Sequence, residues 1–145
     1  MNLWPPFRGA GIRVRHIARD WREVRVELKL GLLNRNYIGT HFGGSLYAMT
    51  DPFHMLMLIH LLGPGYVVNH KGGRIEYLAP AQGRVGTTLR VDDATLEAIR
   101  ARVAAEGKDT PDFTAEIVDP GGVVVARTVQ TLHIRLRAAA AASER

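Results

Sequence analysis

One stretch of the chain, NRNYIGTHFGGSLYAMTD over residues 34–51, gathers the side chains best suited to chemistry. It holds two Asn, a His, a Gly pair and, inside apolar sequence, a single carboxylate, Asp51. Glycines that open a helix present main-chain N–H groups with no intrahelical partner, at the positive end of the helix dipole. Gly43 and Gly44 are therefore candidate donors to an oxyanion developing on a carbonyl, and glycine lets a substrate approach closely. A carboxylate among Leu46, Met49, Met55 and Leu58 is expected to be desolvated and so a stronger base or nucleophile. Its chemistry would be attack on a carbonyl, or activation of water for that attack.

Pro52 leaves two readings of Asp51 open. With Asp51 at the N-cap and Pro52 at the first helical position, a helix starts there and residues 43–50 form a loop. With a helix starting at Gly43, Pro52 lies inside it at a cost of roughly 3 kcal/mol unless a kink absorbs it. The histidines suggest no metal site, because His54 and His60 lie six apart rather than the spacing of about four that shares a helix face. His41 and His133 stand alone, which fits structural histidines as well as catalytic ones. The absence of Cys excludes disulfides, thiolate metal ligands and a Cys nucleophile together.

Period-2 alternation dominates the elements that must position these groups. In REVRVELKL, Val24, Val26, Leu28 and Leu30 share one face while Arg25, Glu27 and Lys29 share the other, which predicts a half-buried strand. GIRVRHIA (11–18) reads the same way, a hairpin's length upstream. The long apolar helix follows. YVVNH and RIEYLAP, split by KGG, predict one strand bent at a bulge. RVGTTLRVD (84–92) is a further strand, after which Asp92 or Asp93 caps a helix over ATLEAIRARVAAE with a Leu96, Ile99 and Val103 stripe and a stop at Gly107. DFTAEIV and VVVARTVQTLHIRLR flank DPGG and predict a hairpin. The AAAAASER tail is expected to fray.

The result is α+β: strands on either side of a helix so apolar that a sheet must cover it nearly all round. The 145 residues, 46% hydrophobic and 23% charged, suit one globular domain over 1–145 with a core from about 11 to 136. Its 19 Lys and Arg, 16 of them Arg, against 14 Asp and Glu give a formal charge of +5, which favours anionic partners. The Arg are scattered singly and lack interleaved aromatics, so nucleic acid is not the expected partner. MNLWPPFRGAG has no apolar run of the ~7–15 residues that a secretory signal needs, and LYAMTDPFHMLMLIHLL falls short of the ~20 that span a bilayer. A cytoplasmic protein without membrane insertion is expected.

An Asn followed by a Gly and a His, a Gly pair opening a helix, an acid eight residues after the first Gly, and then a strand reading IEYLAPAQG resemble the hotdog-fold thioesterase superfamily. Within it, the chain is similar to the phenylacetate-pathway-type acyl-CoA thioesterases and to an uncharacterised bacterial branch. The resemblance covers residues from about Gly11 to Leu136. It implies a central helix wrapped by a curved antiparallel sheet of five to six strands, a dimer as the working unit, and hydrolysis of a thioester by the helix acid. Asp51 matches that acid, Gly44 the helix-start amide, and Asn36 the polar residue upstream, which would polarise the carbonyl or position the water. One departure stands out: where the pattern places His directly before the Gly pair, this chain has Phe42, and His41 lies one residue earlier.

At ~1.5 Å of rise per residue, Asp51 lies about 10 Å along a helix from Gly44, so one carbonyl cannot touch both. If both groups act on one thioester, they come from different chains. The first functional expectation is therefore an acyl-CoA or acyl-carrier-protein thioesterase, a homodimer or dimer of dimers that needs no dissociable cofactor. Its catalytic candidates are Asp51, Asn36, Gly44 and His41. Gly43, Phe42 and Tyr47 would contact substrate, with Lys71, Arg74 and Arg84 near the CoA phosphates. The alternatives are a hotdog dehydratase or hydratase, with His41 and Asp51 as base and acid, and a non-catalytic acyl-ligand binding protein.

Overall fold

The computed structural model describes residues 1–137; the AAAAASER tail lies outside them. A short helix α1 (Pro5–Ala10) leads into the hairpin β1 (Ile12–Ile17) and β2 (Glu23–Lys29). After a long loop come α2 (Gly43–Ala48), α3 (Phe53–Leu62) and β3 (Tyr66–Tyr77). The chain finishes with β4 (Arg84–Arg90), α4 (Asp93–Glu106), β5 (Lys108–Asp109), β6 (Asp112–Val118) and β7 (Val124–Leu136). All strand pairings are antiparallel. The sheet order is β1-β2-β4-β6-β7-β3, with the two-residue β5 paired to β7. The seventh strand exceeds the five or six expected, because a two-residue pairing has no periodicity to read.

Alternation sorts the strands as anticipated. Val24, Val26 and Leu28 of β2 are buried, and the interposed Arg25 and Lys29 are exposed. In β7, Ala126, Thr128, Gln130, Leu132 and Ile134 face inward. β3 runs through KGG as one strand with a register shift between His70 and Gly72. In α4, Asp92 accepts from the Thr95 N–H at 2.7 Å, Gly107 stops the helix at φ 77°, and Leu96, Ile99 and Val103 are the buried residues.

The apolar helix exists, but in two pieces. α2 starts at Gly43, and its hydrogen bonding runs on through Met49 N–H to Ser45 O (3.1 Å) and Asp51 N–H to Tyr47 O (3.1 Å). Pro52 brings no N–H, Phe53 N–H reaches back to Thr50 O at 3.4 Å, and α3 resumes with Leu56 N–H on Pro52 O. This settles the open start of the helix. Residues 43–48 are helical rather than a loop, and no side chain caps α3, so Asp51 is not its N-cap. Leu46, Met49, Phe53, Met57 and Leu58 sink into a core shared with β2, β4, β6 and β7. Met55 and Leu56 are only half-buried, and Ile59 is exposed, so this single chain leaves one flank of α3 uncovered.

Candidate active site

The loop before α2 is organised by Asn36. Its Oδ1 accepts from the N–H groups of Ile38 (3.1 Å) and Thr40 (3.0 Å), and its Nδ2 donates to Thr40 Oγ1 (2.8 Å) and His41 O (3.1 Å). Two acceptors' worth of lone pairs and both amide hydrogens are thereby engaged, the full capacity of an Asn side chain. The turn it closes passes through Gly39 at φ 86°, a left-handed conformation that glycine adopts without strain. In this arrangement Asn36 shapes the loop that delivers the helix start.

His41 pins the same loop to the sheet. Its N–H donates to Ala81 O at 2.9 Å, and its ring Nε2 lies 3.2 Å from Gly83 O. A carbonyl only accepts, so Nε2 carries the proton and Nδ1 keeps a lone pair, which is buried without a partner. Burial lowers the pKa of His41 against the opposing pull of the Gly83 carbonyl, which favours the neutral ring.

Beyond Phe42, both Ser45 and Leu46 N–H return to Phe42 O, leaving the Gly43 and Gly44 N–H groups without partners among the described residues. A Cβ on Gly43 would press on the Tyr77 hydroxyl, and one on Gly44 would press on the Phe42 ring. These glycines thus let two aromatic rings close over the first turn. Asn36, His41, Phe42, Gly43, Gly44 and Tyr77 line a groove of about 560 Å³ that also has apolar walls from Ile38, Leu46 and Leu78. With so short a helix, the two unpaired N–H groups matter more than any summed dipole.

Asp51 does not line this groove. It is half-buried in the turn between α2 and α3, and its carboxylate makes no hydrogen bond among the described residues. Tyr47, one turn earlier, places its hydroxyl against Gly73 of β3, where a Cβ would overlap it. Burial raises the Tyr47 pKa, and the negative charge of Asp51 adds to the effect. The structure therefore brings together Asn36, His41, Phe42, Gly43 and Gly44, and sets Asp51 and Tyr47 apart from them. Lys71 and Arg74 are exposed on β3, whereas Arg84 is exposed at the start of β4 and ion-paired to Glu27 at 3.0 Å. None of these three cations lines the groove.

Three residues at the site went unread. Tyr77 ends β3 against the helix start. Thr50 and Gln130 lie buried beside the helix break, Gln130 Nε2 donating to Thr50 Oγ1 at 3.4 Å. The inward register of β7 was the available signal for Gln130, since it shares parity with Thr128, Leu132 and Ile134.

The fold has known counterparts. The structure of PA5026 from Pseudomonas aeruginosa, described as a probable thioesterase, superposes with a TM-score of 0.79 at 19% identity, covering 94% of this chain and 91% of that one. The thioesterase HI1161 from Haemophilus influenzae gives 0.68 at 12% identity over 93% and 85%. The phenylacetic acid degradation protein PaaI from Thermus thermophilus gives 0.62 at 22% identity over 89% and 97%. At such identities the likeness speaks for the fold, and that fold is the hotdog. No curated protein matches the chain. A family model matches residues 1–134, nearly the whole of the described chain, and the protein belongs to that family, the domain of unknown function DUF4442.

Proposed function

We propose that the protein hydrolyses acyl thioesters, carried by CoA or an acyl carrier protein, at a site shared between two chains of a homodimer. The observation that carries this is the separation of the two halves of the chemistry. Among the described residues, the groove holds unpaired amide donors at Gly43 and Gly44 but no carboxylate, while Asp51 lies outside it without a partner. A second copy supplies what each lacks: amides and Tyr77 from one chain would hold the carbonyl oxygen, and Asp51 from the other would attack the carbonyl or draw the proton from a water that does. Asn36 acts by holding the loop that aims the amides.

Two surface features support a partner copy. Leu33 and Tyr37 of the loop are fully exposed and Leu32 and Ile38 nearly so, a cluster of apolar side chains that soluble monomers rarely display. Among the described residues β3 is also a sheet edge, pairing with β7 alone. The positive charge suits the phosphates of CoA, with Lys71, Arg74 and Arg84 as exposed contacts.

Complementation tests the reading. Asp51→Asn should lower kcat on the order of 10²-fold or more. Asp51→Ala and Asn36→Ala proteins, each poorly active alone, should recover activity when unfolded together, mixed and refolded. Random one-to-one pairing puts both lesions in one site of each mixed dimer and leaves the other site intact, so about a quarter of the sites return. No recovery from two folded, dimeric variants would sink the shared site. A second reading, hydration of an enoyl thioester, draws on the unpartnered Nδ1 of His41 at the groove. A collapse of activity in His41→Ala together with hydration of enoyl-CoA would favour it.

A further inference from the structure

Pro52 removes a rung from the helix at the point where Asp51 leaves it, so something other than the helical ladder has to fix the main chain there. Three donors converge on one carbonyl, Tyr47 O: the N–H of Thr50 (3.0 Å), the N–H of Asp51 (3.1 Å) and the hydroxyl of Thr50 (2.9 Å). The hydroxyl has one proton, and it is committed to Tyr47 O. Toward the sheet, Thr50 Oγ1 can then only accept, and the group it faces is the Gln130 amide, with Nε2 at 3.4 Å. Thr50 is 0% exposed and Gln130 1%, so neither side chain competes with water for these bonds.

Gln130 is an unusual occupant of its position. In the inward register of β7 it stands between Thr128 and the aliphatic pair Leu132 and Ile134, and burying an amide costs free energy unless it is hydrogen-bonded. Its Oε1 finds no partner among the described residues. A residue of that size serving only to fill the core would be better as Met or Leu. Gln130 also lies beside His54, the second residue of α3, whose imidazole it influences. The bond that Gln130 makes at the proline break is the one to Thr50, on its N-terminal bank.

We infer that Gln130, acting through Thr50, is a positioning residue that sets the direction of the Asp51 carboxylate. The inference rests on Asp51 being the reacting acid. The Cα–Cβ bond of Asp51 follows the 49–52 main chain, and a turn of that main chain would pull Thr50 off both Tyr47 O and Gln130. The brace acts on orientation, so its loss is read in turnover rather than in substrate binding.

The test is steady-state hydrolysis of acyl-CoA thioesters by the full chain with Gln130→Met, Thr50→Val and Thr50→Ser, each alone and, for Gln130→Met, also in an Asp51→Asn background. Both apolar variants should lose about tenfold in kcat with KM within about twofold, and Thr50→Ser should keep wild-type turnover. In the Asp51→Asn background, Gln130→Met should bring no further loss, because there is no carboxylate left to aim. If Gln130→Met does not fold, Thr50→Val, nearly isosteric, decides alone. Wild-type kcat in folded Thr50→Val, with Asp51→Asn inactive, overturns the brace and leaves the Asp51 assignment standing. So does an equal tenfold loss in the Asp51→Asn background, which marks a merely structural role. Full activity in Asp51→Asn removes the catalytic assignment itself, and the brace with it.

Discussion

Asp51 sits half-buried in the turn that Pro52 imposes between α2 and α3, one turn of helix beyond Tyr47. Legible features were the glycine pair and the acid; hidden ones were the four hydrogen bonds that engage Asn36, which depend on where Gly39 turns the loop. His54 illustrates the same limit. Six-residue spacing argued against a shared metal with His60, yet gave no sign that its ring would be buried and stacked on Phe113 at 4.8 Å. Burial drives its pKa down to about 4, with His70 adding and Gln130 opposing. The unfolded chain takes up a proton near pH 6.5 that the folded chain refuses until about pH 4. The stability this gives is fully present above pH 6.5 and is lost as pH falls toward 4. Denaturant titrations at pH 7.5 and 4.5 should differ by on the order of 2 to 3 kcal/mol from this group, and His54→Phe should flatten that difference. An unchanged slope in the variant would remove His54 as its source.

Among the elements, strands announced themselves because inward and outward residues alternate cleanly on a sheet with one wet face, and α4 did so through its cap, stripe and glycine stop. α1 did not: Pro5 and Pro6 start it, but Gly9 interrupts and Gly11 ends a six-residue span that carries no apolar period. The broken helix was half legible, since Pro52 marks a break without saying which side remains helical. What seats α2 on the sheet is a pair of contacts between tyrosines and glycines, Tyr47 on Gly73 and Tyr77 on Gly43. At Gly73 a methyl group would overlap the Tyr47 hydroxyl and also meet Val129 O at 3.1 Å. Gly73→Ala should therefore cost about 1–3 kcal/mol, the usual range for an overpacked site. Tyr47→Phe in the same chain should return part of it. Chemical denaturation at fixed protein concentration measures both, and a Gly73→Ala protein as stable as wild type would show that α2 is free to shift.

For the whole molecule, charge and chain order matter more than any single contact. On the proposed reading, the formal charge of +5 attracts the phosphates of CoA, and salt screens that attraction. Raising ionic strength from about 0.05 to about 0.5 M should increase KM for acyl-CoA severalfold and leave kcat nearly unchanged; a salt-independent KM would mean that the pantetheine and acyl parts dominate recognition. The sheet order adds a constraint of time. β3 follows directly on the site helix, yet among the described residues its one partner in the sheet is β7, some 47 residues further along the chain. At roughly 5–20 residues per second, the stretch from Tyr77 to Val124 takes on the order of 2 to 10 s to synthesise. Through that interval a strongly apolar helix and a strand with both edges open wait together, so a nascent chain stalled before β7 should be a client for chaperones and, without them, the species that aggregates.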